Sequence, residues 1–229
     1  MTMHRRDVLA GALALGALLL VRPRVRAQEG SLTPFVGDHG GQIYNYRLPA
    51  EPSLDGLPGV LWTGAAAPEV ILVEFFDYNC PYCRAASGDL QALLARTPGL
   101  RLGLVNNPVL GPGSVQAAKI QQAVLRNHGP AKALAFHERV FAGHGAVDGP
   151  SALAVVPGLG LDARAVGAAG DLPQVGDVVK RQAHLAAALG FSATPSFMID
   201  GIGVLGYPGP RAMARAVAAI RQCDRLACA

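Results

Sequence analysis

The chain has 229 residues and four cysteines; 51% of its residues are hydrophobic and 16% are charged. Such a chain can bury a sizeable core in one ordinary domain, which excludes a disordered polyelectrolyte and a disulfide-dense miniature scaffold. The formal net charge of +4 points at first to a nucleic acid or an anionic membrane as partner.

Residues 1–27 have the three-part layout of an export signal. Arg5 and Arg6 precede an apolar run of fourteen residues at 8–21, and Ala27 offers a small residue for cleavage. A helix of that run would span about 21 Å, short of a hydrocarbon core of roughly 30 Å, so we expect cleavage; a retained membrane anchor is the alternative. The paired arginines are similar to twin-arginine export signals and predict a periplasmic, oxidising compartment for a mature chain that does not span the membrane.

This segment also accounts for the net charge. Its five arginines and one aspartate supply the whole +4 and leave 15 basic and 15 acidic residues in the rest of the chain. We therefore expect no nucleic-acid partner.

The first half of the mature chain predicts a β–α–β unit. A lead-in segment at 28–60 contains one alternating patch, 42–48, that favours an early strand. A β-branched and aromatic run at 69–76 predicts a buried strand; a helical stretch follows to about residue 96, and 100–105 predicts a second buried strand. This order implies a right-handed crossover between parallel strands.

The second half begins with Ala-rich helices at about 114–189, which predict an all-α insertion in the β–α–β frame. Its predicted boundaries are helix starts at Ser114 and Ser151, a break at Gly129-Pro130, a cap at Asp162 and a last helix after Pro173. The elements predicted after it are strands at 195–199 and 202–205, a hairpin turn at Asp200-Gly201, and a helix at 210–222.

The candidate chemistry lies in Cys80-Pro81-Tyr82-Cys83, directly after the buried strand and at the start of a helix. A thiolate is the reactive form of cysteine, and free N–H groups and the helix dipole lower its pKa at a helix N-terminus. Pro81 is tolerated there because a first-turn N–H has no intrahelical partner. We expect Cys80 to be the nucleophile and Cys83, one turn further on and more buried, to be the resolving thiol.

Three other uses of these cysteines stay open at the sequence level. They are a four-thiolate zinc site shared with Cys223 and Cys228, an inert structural disulfide, and capture of a soft metal such as Cu(I). In an oxidising compartment we expect Cys223 and Cys228 to form a structural disulfide that clips a C-terminal tail at 223–229. The alternatives are that Cys223 and Cys228 exchange disulfides with Cys80 and Cys83, or that they form a disulfide with another chain.

The run from Phe75 to Cys83, FFDYNCPYC, and the later run Ala193-Thr194-Pro195-Ser196-Phe197 carry a resemblance. Together they resemble the DsbA-like thiol:disulfide oxidoreductases of bacterial envelopes, over about residues 60–222. The resemblance implies an α/β, thioredoxin-like domain at 61–222 with an inserted all-α helical subdomain after the second strand. It also implies that Pro195 is a cis-proline opposite the disulfide and that Thr194 offers backbone groups to a client chain.

The same resemblance assigns roles to three further residues. Glu74 would lie beneath the disulfide and relay the proton of the buried cysteine, a task that a raised carboxyl pKa suits; a solvent-facing Glu74 is the alternative. Asp77 is the weaker candidate, since it could simply cap the approach loop. Pro81 and Tyr82 fill the variable dipeptide, which tunes the redox potential and contributes to the client surface.

The sequence therefore predicts a periplasmic dithiol oxidase, a monomer that forms disulfides in reduced exported proteins. The resemblance implies a membrane redox partner, either a quinone-linked oxidase that restores the Cys80–Cys83 disulfide or a reductase. We expect no cofactor besides that disulfide. The five histidines after residue 27 have no tight ligand spacing, so we expect surface or hydrogen-bonded residues and no metal site. A disulfide isomerase or reductase of the same fold, and a non-enzymatic copper-handling or chaperone protein, remain the alternatives.

Overall fold

A computed structural model of the protein describes residues 34–48, 54 and 56–228. The predicted export signal at 1–27 lies outside the described residues, as does part of the lead-in segment. Within the described ranges, no helix is both long and apolar enough to cross a bilayer.

Among the described residues, six strands form one mixed sheet in the order β1-β6-β5-β3-β4-β2. Only β3 and β4 run parallel, and the other neighbouring strands pair antiparallel. The strand bounds are β1 Asn45–Arg47, β2 Leu61–Gly64, β3 Val70–Phe76, β4 Leu100–Asn106, β5 Ser196–Ile199 and β6 Ile202–Leu205. The two longest strands are the two buried apolar runs, because a strand covered on both faces needs apolar residues at nearly every position.

The helices are α1 Pro81–Arg96, α2 Pro112–Ala142, α3 Gly149–Ala154, α4 Ala163–Gly170, α5 Pro173–Ala188 and α6 Pro210–Cys223, with a 3₁₀ turn at Pro157–Leu159. Four of the α-helices, α2 to α5, lie between β4 and β5 and form the all-α insertion in an α/β frame. Gly129, at φ +80°, interrupts α2 just before Pro130, where the Gly-Pro pair predicts a break.

Two predicted helix starts are wrong. α2 begins at Pro112 with Gly111 as its N-cap, so Ser114 lies inside the first turn, where its buried hydroxyl accepts a hydrogen bond from Asn79. α3 is capped by Asp148, which forms a capping box with Ser151 at the third helical position. Asp162 caps α4 as predicted.

The alternation of β3 divides its side chains between two cores. Leu72 and Phe76 join α1 and α6 in the larger core on one face, whereas Val73 and Phe75 join α5 in the smaller core on the other. Glu74 therefore lies on the face that α1 covers. The sequence pattern does not predict the edge strand β2, which pairs with β4.

Candidate active site

Cys80 is the N-cap of α1 and has an extended backbone, with φ −81° and ψ 119°. Its sulfur accepts a hydrogen bond from the backbone N–H of Cys83 at 3.4 Å, and Pro81 occupies the first turn. Both cysteines are free thiols in this structure. The sequence brings them together because an N-cap and the third helical residue share one turn.

The environments of the two thiols push their pKa values apart. Hydrogen bonds lower the pKa of Cys80 to about 6, first from the Cys83 thiol and then from the Thr194 hydroxyl and two backbone N–H groups, against the opposing effect of burial. Burial raises the pKa of Cys83 well above its ordinary value. At neutral pH the first cysteine is therefore a thiolate and the second a thiol.

The loop before β5 lies directly against Cys80. The Thr194–Pro195 peptide bond is cis. The Cys80 sulfur lies 3.1 Å from the carbonyl oxygen of Thr194, which accepts the thiol proton when Cys80 is protonated. The Pro195 carbonyl accepts a hydrogen bond from Gly206 N at 3.0 Å, so the loop is fixed to the end of β6.

Glu74 is completely buried, so the solvent-facing alternative is wrong. Among the described residues, neither carboxylate oxygen has a hydrogen-bond partner. Burial, and then the charge of Cys80, raise the pKa of Glu74 to about 8. The Glu74 charge in turn contributes to the raised pKa of Cys83, so the three groups form one coupled set.

Asp77 caps the approach loop. Its carboxylate accepts hydrogen bonds from the backbone N–H of Asn79 at 2.8 Å and of Leu110 at 2.9 Å. The Asn79 side chain bonds the hydroxyl of Ser114 and both backbone groups of Val147, at 2.7 to 2.9 Å. The residue before Cys80 thus ties the active-site loop to the helical insertion, a role that sequence reasoning missed.

Beneath this loop lies an aromatic cluster formed by Phe76, Tyr78, Phe136, His137 and Phe141. His137 is buried, and burial lowers its pKa to about 3, so its ring stays neutral. Its Nδ1 lies 3.4 Å from the Tyr78 hydroxyl. In contrast to this cluster, the Tyr82 ring is 66% exposed on the surface beside Cys80.

Cys223 and Cys228 form a disulfide at the other end of the sheet. Two residues earlier, Arg221 pairs with Glu69 at 2.7 Å, next to the first residue of β3. Cys80 lies four residues beyond Phe76, the last residue of β3, and the seven residues of that strand span about 20 Å. The four cysteines therefore do not form one zinc site. No described group of three or more His, Cys, Asp or Glu residues could hold a metal ion.

A buried dithiol at a helix N-terminus, with pKa values shifted in opposite directions, defines a thiol–disulfide oxidoreductase. Residues 71–218 match the family described as DSBA-like thioredoxin domain, and the chain belongs to that family. This confirms the predicted α/β, thioredoxin-like fold with its helical insertion.

Solved structures agree with this family. A thioredoxin-like oxidoreductase from Silicibacter pomeroyi DSS-3 is 32% identical to this chain, with a TM-score of 0.69. The match covers 76% of this chain and 99% of that protein's chain. A periplasmic thioredoxin-like protein from Salmonella enterica serovar Typhimurium is 25% identical, with a TM-score of 0.63; the match covers 74% of this chain and 94% of that chain. The thiol-disulfide exchange protein alpha-DsbA2 from Wolbachia pipientis shares the fold at 23% identity, with a TM-score of 0.65; the match covers 70% of this chain and 87% of that chain.

One curated relative is much longer than this chain. The Na(+)/H(+) antiporter NhaA of Herminiimonas arsenicoxydans is 27% identical over 177 residues, which are 77% of this chain and 27% of that protein. The chain thus spans about a quarter of the length of that relative.

Proposed function

We propose that this protein is an exported, periplasmic dithiol oxidase that transfers its Cys80–Cys83 disulfide to reduced exported proteins. The opposite pKa shifts of the two cysteines carry the proposal. A stabilised Cys80 thiolate favours the dithiol form of the enzyme, so its disulfide is a strong oxidant of other thiols.

In the first step, a client thiolate attacks the sulfur of Cys80. A bond forms between the client sulfur and Cys80, the Cys80–Cys83 bond breaks, and its electron pair goes to Cys83. Because the pKa of Cys83 is high, this sulfur takes up a proton at once. Glu74, which is protonated below a pH of about 8, is the buried group that supplies that proton.

In the second step, another client thiolate attacks the client sulfur of the mixed disulfide. A disulfide forms in the client, and Cys80 leaves as a thiolate with a pKa of about 6. The client is oxidised by two electrons and the enzyme becomes the dithiol. A quinone-linked membrane partner would take these two electrons and restore the enzyme disulfide.

The client would bind beside the Thr194–Pro195 loop, whose contact with Cys80 at 3.1 Å supports this placement. The exposed ring of Tyr82 offers an apolar contact on the same side, and Pro81 holds that ring at the helix start. Backbone contacts of an extended client require no particular client sequence. Membership in the family supports exported proteins as clients, and the periplasmic relative from Salmonella supports the location.

Oxidation of a reduced dithiol peptide by the disulfide form tests the proposal. We expect one client disulfide per enzyme disulfide and loss of the reaction in Cys80→Ser. In Cys83→Ser, which has no disulfide of its own, the Cys80 thiolate should attack the disulfide of the oxidised peptide, release one peptide thiolate and be trapped as the mixed disulfide. The matched control is the double variant Cys223→Ser/Cys228→Ser, which keeps the activity. Full activity of Cys80→Ser contradicts the proposal. Efficient repair of scrambled RNase with poor oxidation favours the isomerase alternative, and tight Cu(I) binding without exchange favours the copper-handling alternative.

A further inference from the structure

A cavity of about 470 Å³ lies between α2, α5 and the segment that leads into β2. This volume falls in the range of about 300 to 1,000 Å³ that is typical of small-molecule sites. Arg126 lines the cavity. It lies twelve residues along α2 from Ser114, which accepts a hydrogen bond from Asn79 of the active-site loop. That distance is about 18 Å along a helix, so the cavity is separate from the cysteines.

The floor of the cavity is apolar. Four apolar side chains line it: Val60 and Val175, which are buried, and Leu125 and Val178, which are partly exposed. The backbone carbonyls in this region, of Pro58 and Gly59, already accept hydrogen bonds from glutamine side chains at 3.0 and 2.8 Å. The floor therefore has little left to offer a polar ligand and suits an alkyl or aryl group.

The lining also carries two cations. Arg126 and Arg181 both line the cavity, and neither forms an ion pair or side-chain hydrogen bond within the described part of the chain. No aspartate or glutamate is among the lining residues. The nearest acid along α5, Asp177, is paired with Lys180 at 3.7 Å. Two guanidinium groups without a counter-ion at an apolar cavity favour an anionic ligand.

A helix terminus adds to the positive potential. Gln174 and Val175, in the first turn of α5, line the cavity, and the N-cap Leu172 provides no side-chain hydrogen bond. The N-terminal end of a helix carries partial positive charge, and in α5 this charge acts through the dipole, because Pro173 has no N–H and the N–H of Val175 already donates to the Leu172 carbonyl at 3.0 Å. The apolar floor, the arginines and this terminus are three independent features of one cavity.

We propose that the cavity binds a small anionic amphiphile. Its alkyl or aryl tail covers Val60 and Val175, and its singly charged carboxylate or sulfonate head binds Arg126 and Arg181. The ligand binds without a covalent step, and the site is independent of the proposed redox function.

Calorimetric titration of the disulfide form with decanoate tests the proposal, with decanol as the neutral ligand of equal tail length. We expect saturable binding of one decanoate per chain and at least tenfold weaker binding of decanol. Arg126→Gln and Arg181→Gln should each weaken decanoate binding about tenfold, the effect of losing one charge-assisted hydrogen bond. Lys180→Gln removes an equal charge from α5 outside the cavity and should change the affinity less than twofold.

Two further variants separate this site from the redox site. Gln174→Trp, at an exposed lining position, should block decanoate binding and leave peptide oxidation unchanged. Cys80→Ser should lose oxidation and bind decanoate normally. Equal affinity for decanol, unsaturable uptake, or wild-type affinity in both arginine variants would overturn the proposal.

Discussion

Replacement of Glu74 by glutamine removes the only carboxyl group on the buried face of β3. In the folded protein the pKa of this group is about 8, compared with 4.5 for an ordinary glutamate. Between these two pH values the unfolded chain has released the proton and the folded chain still holds it. The free energy of unfolding therefore falls by about 1.4 kcal/mol per pH unit over this range.

The magnitude follows from the span of that window. The stability contribution is fully present below pH 4.5 and is lost as pH rises through 8. From pH 4.5 to 7 the wild-type protein loses roughly 3 kcal/mol through this group, and Glu74→Gln does not. The difference in unfolding free energy between the two proteins should thus shift by roughly 3 kcal/mol in favour of the variant.

Urea unfolding at several pH values measures this difference. The dithiol form, kept reduced, is the sample for this measurement, because the pKa of about 8 includes the charge of the Cys80 thiolate, which the disulfide form lacks. Glu69→Gln is the matched control: Glu69 is exposed, pairs with Arg221 at the start of the same strand, and should give a difference below about 1 kcal/mol at every pH above 5. A difference between wild type and Glu74→Gln that stays constant with pH would refute the reasoning.

Three other substitutions have expected outcomes. Thr194→Val removes a hydroxyl hydrogen bond to the thiolate and should raise the pKa of Cys80 by about one unit, as measured by thiolate absorbance at 240 nm. Thr194→Ser keeps a hydroxyl and should keep the wild-type pKa, and an unchanged titration midpoint in Thr194→Val would contradict this contact. The double variant Cys223→Ser/Cys228→Ser should lose about 2 kcal/mol in urea unfolding, as loss of a short cross-linked loop predicts, and keep its exchange rate within twofold. Asn79→Ala leaves buried loop partners unsatisfied and should cost about 2 kcal/mol in the same assay; a loss below 0.5 kcal/mol would show that water replaces these bonds.

The sequence was most informative where a local pattern determines the structure. The strands around α1 follow from long apolar runs, and the position of Cys80 as N-cap follows from Pro81 and the helix pattern after it. The kink in α2 follows from Gly129-Pro130. In each case the deciding residues are neighbours in the chain, so no knowledge of the packing was needed.

Features that depend on distant partners were not predictable. Strand β2 has only four residues, and its pairing with β4, where Trp62 covers Gly103, holds it in the sheet. Ser114 looks like a helix cap, but its hydroxyl bonds Asn79, which lies 35 residues earlier. His137 is one of the histidines for which the sequence predicts a surface or hydrogen-bonded position; its burial beside Tyr78, with 3.4 Å between the Tyr78 hydroxyl and Nδ1, depends on residues far away in the chain. These pairings arise only when the insertion folds onto the active-site loop.

The reduction potential of the Cys80–Cys83 pair, measured against glutathione from pH 5 to 8, tests the central claim most directly. A Cys80 thiolate with a pKa of about 6 stabilises the dithiol at pH 7 by about 1.4 kcal/mol, or about 30 mV. The account predicts a potential roughly 20 mV above the value of about −270 mV for thioredoxin, whose nucleophilic thiol has a pKa of about 7, and a slope that changes near pH 6 from about 59 to about 30 mV per pH unit. A potential at or below that of thioredoxin, or a slope of about 59 mV up to pH 8, would contradict it.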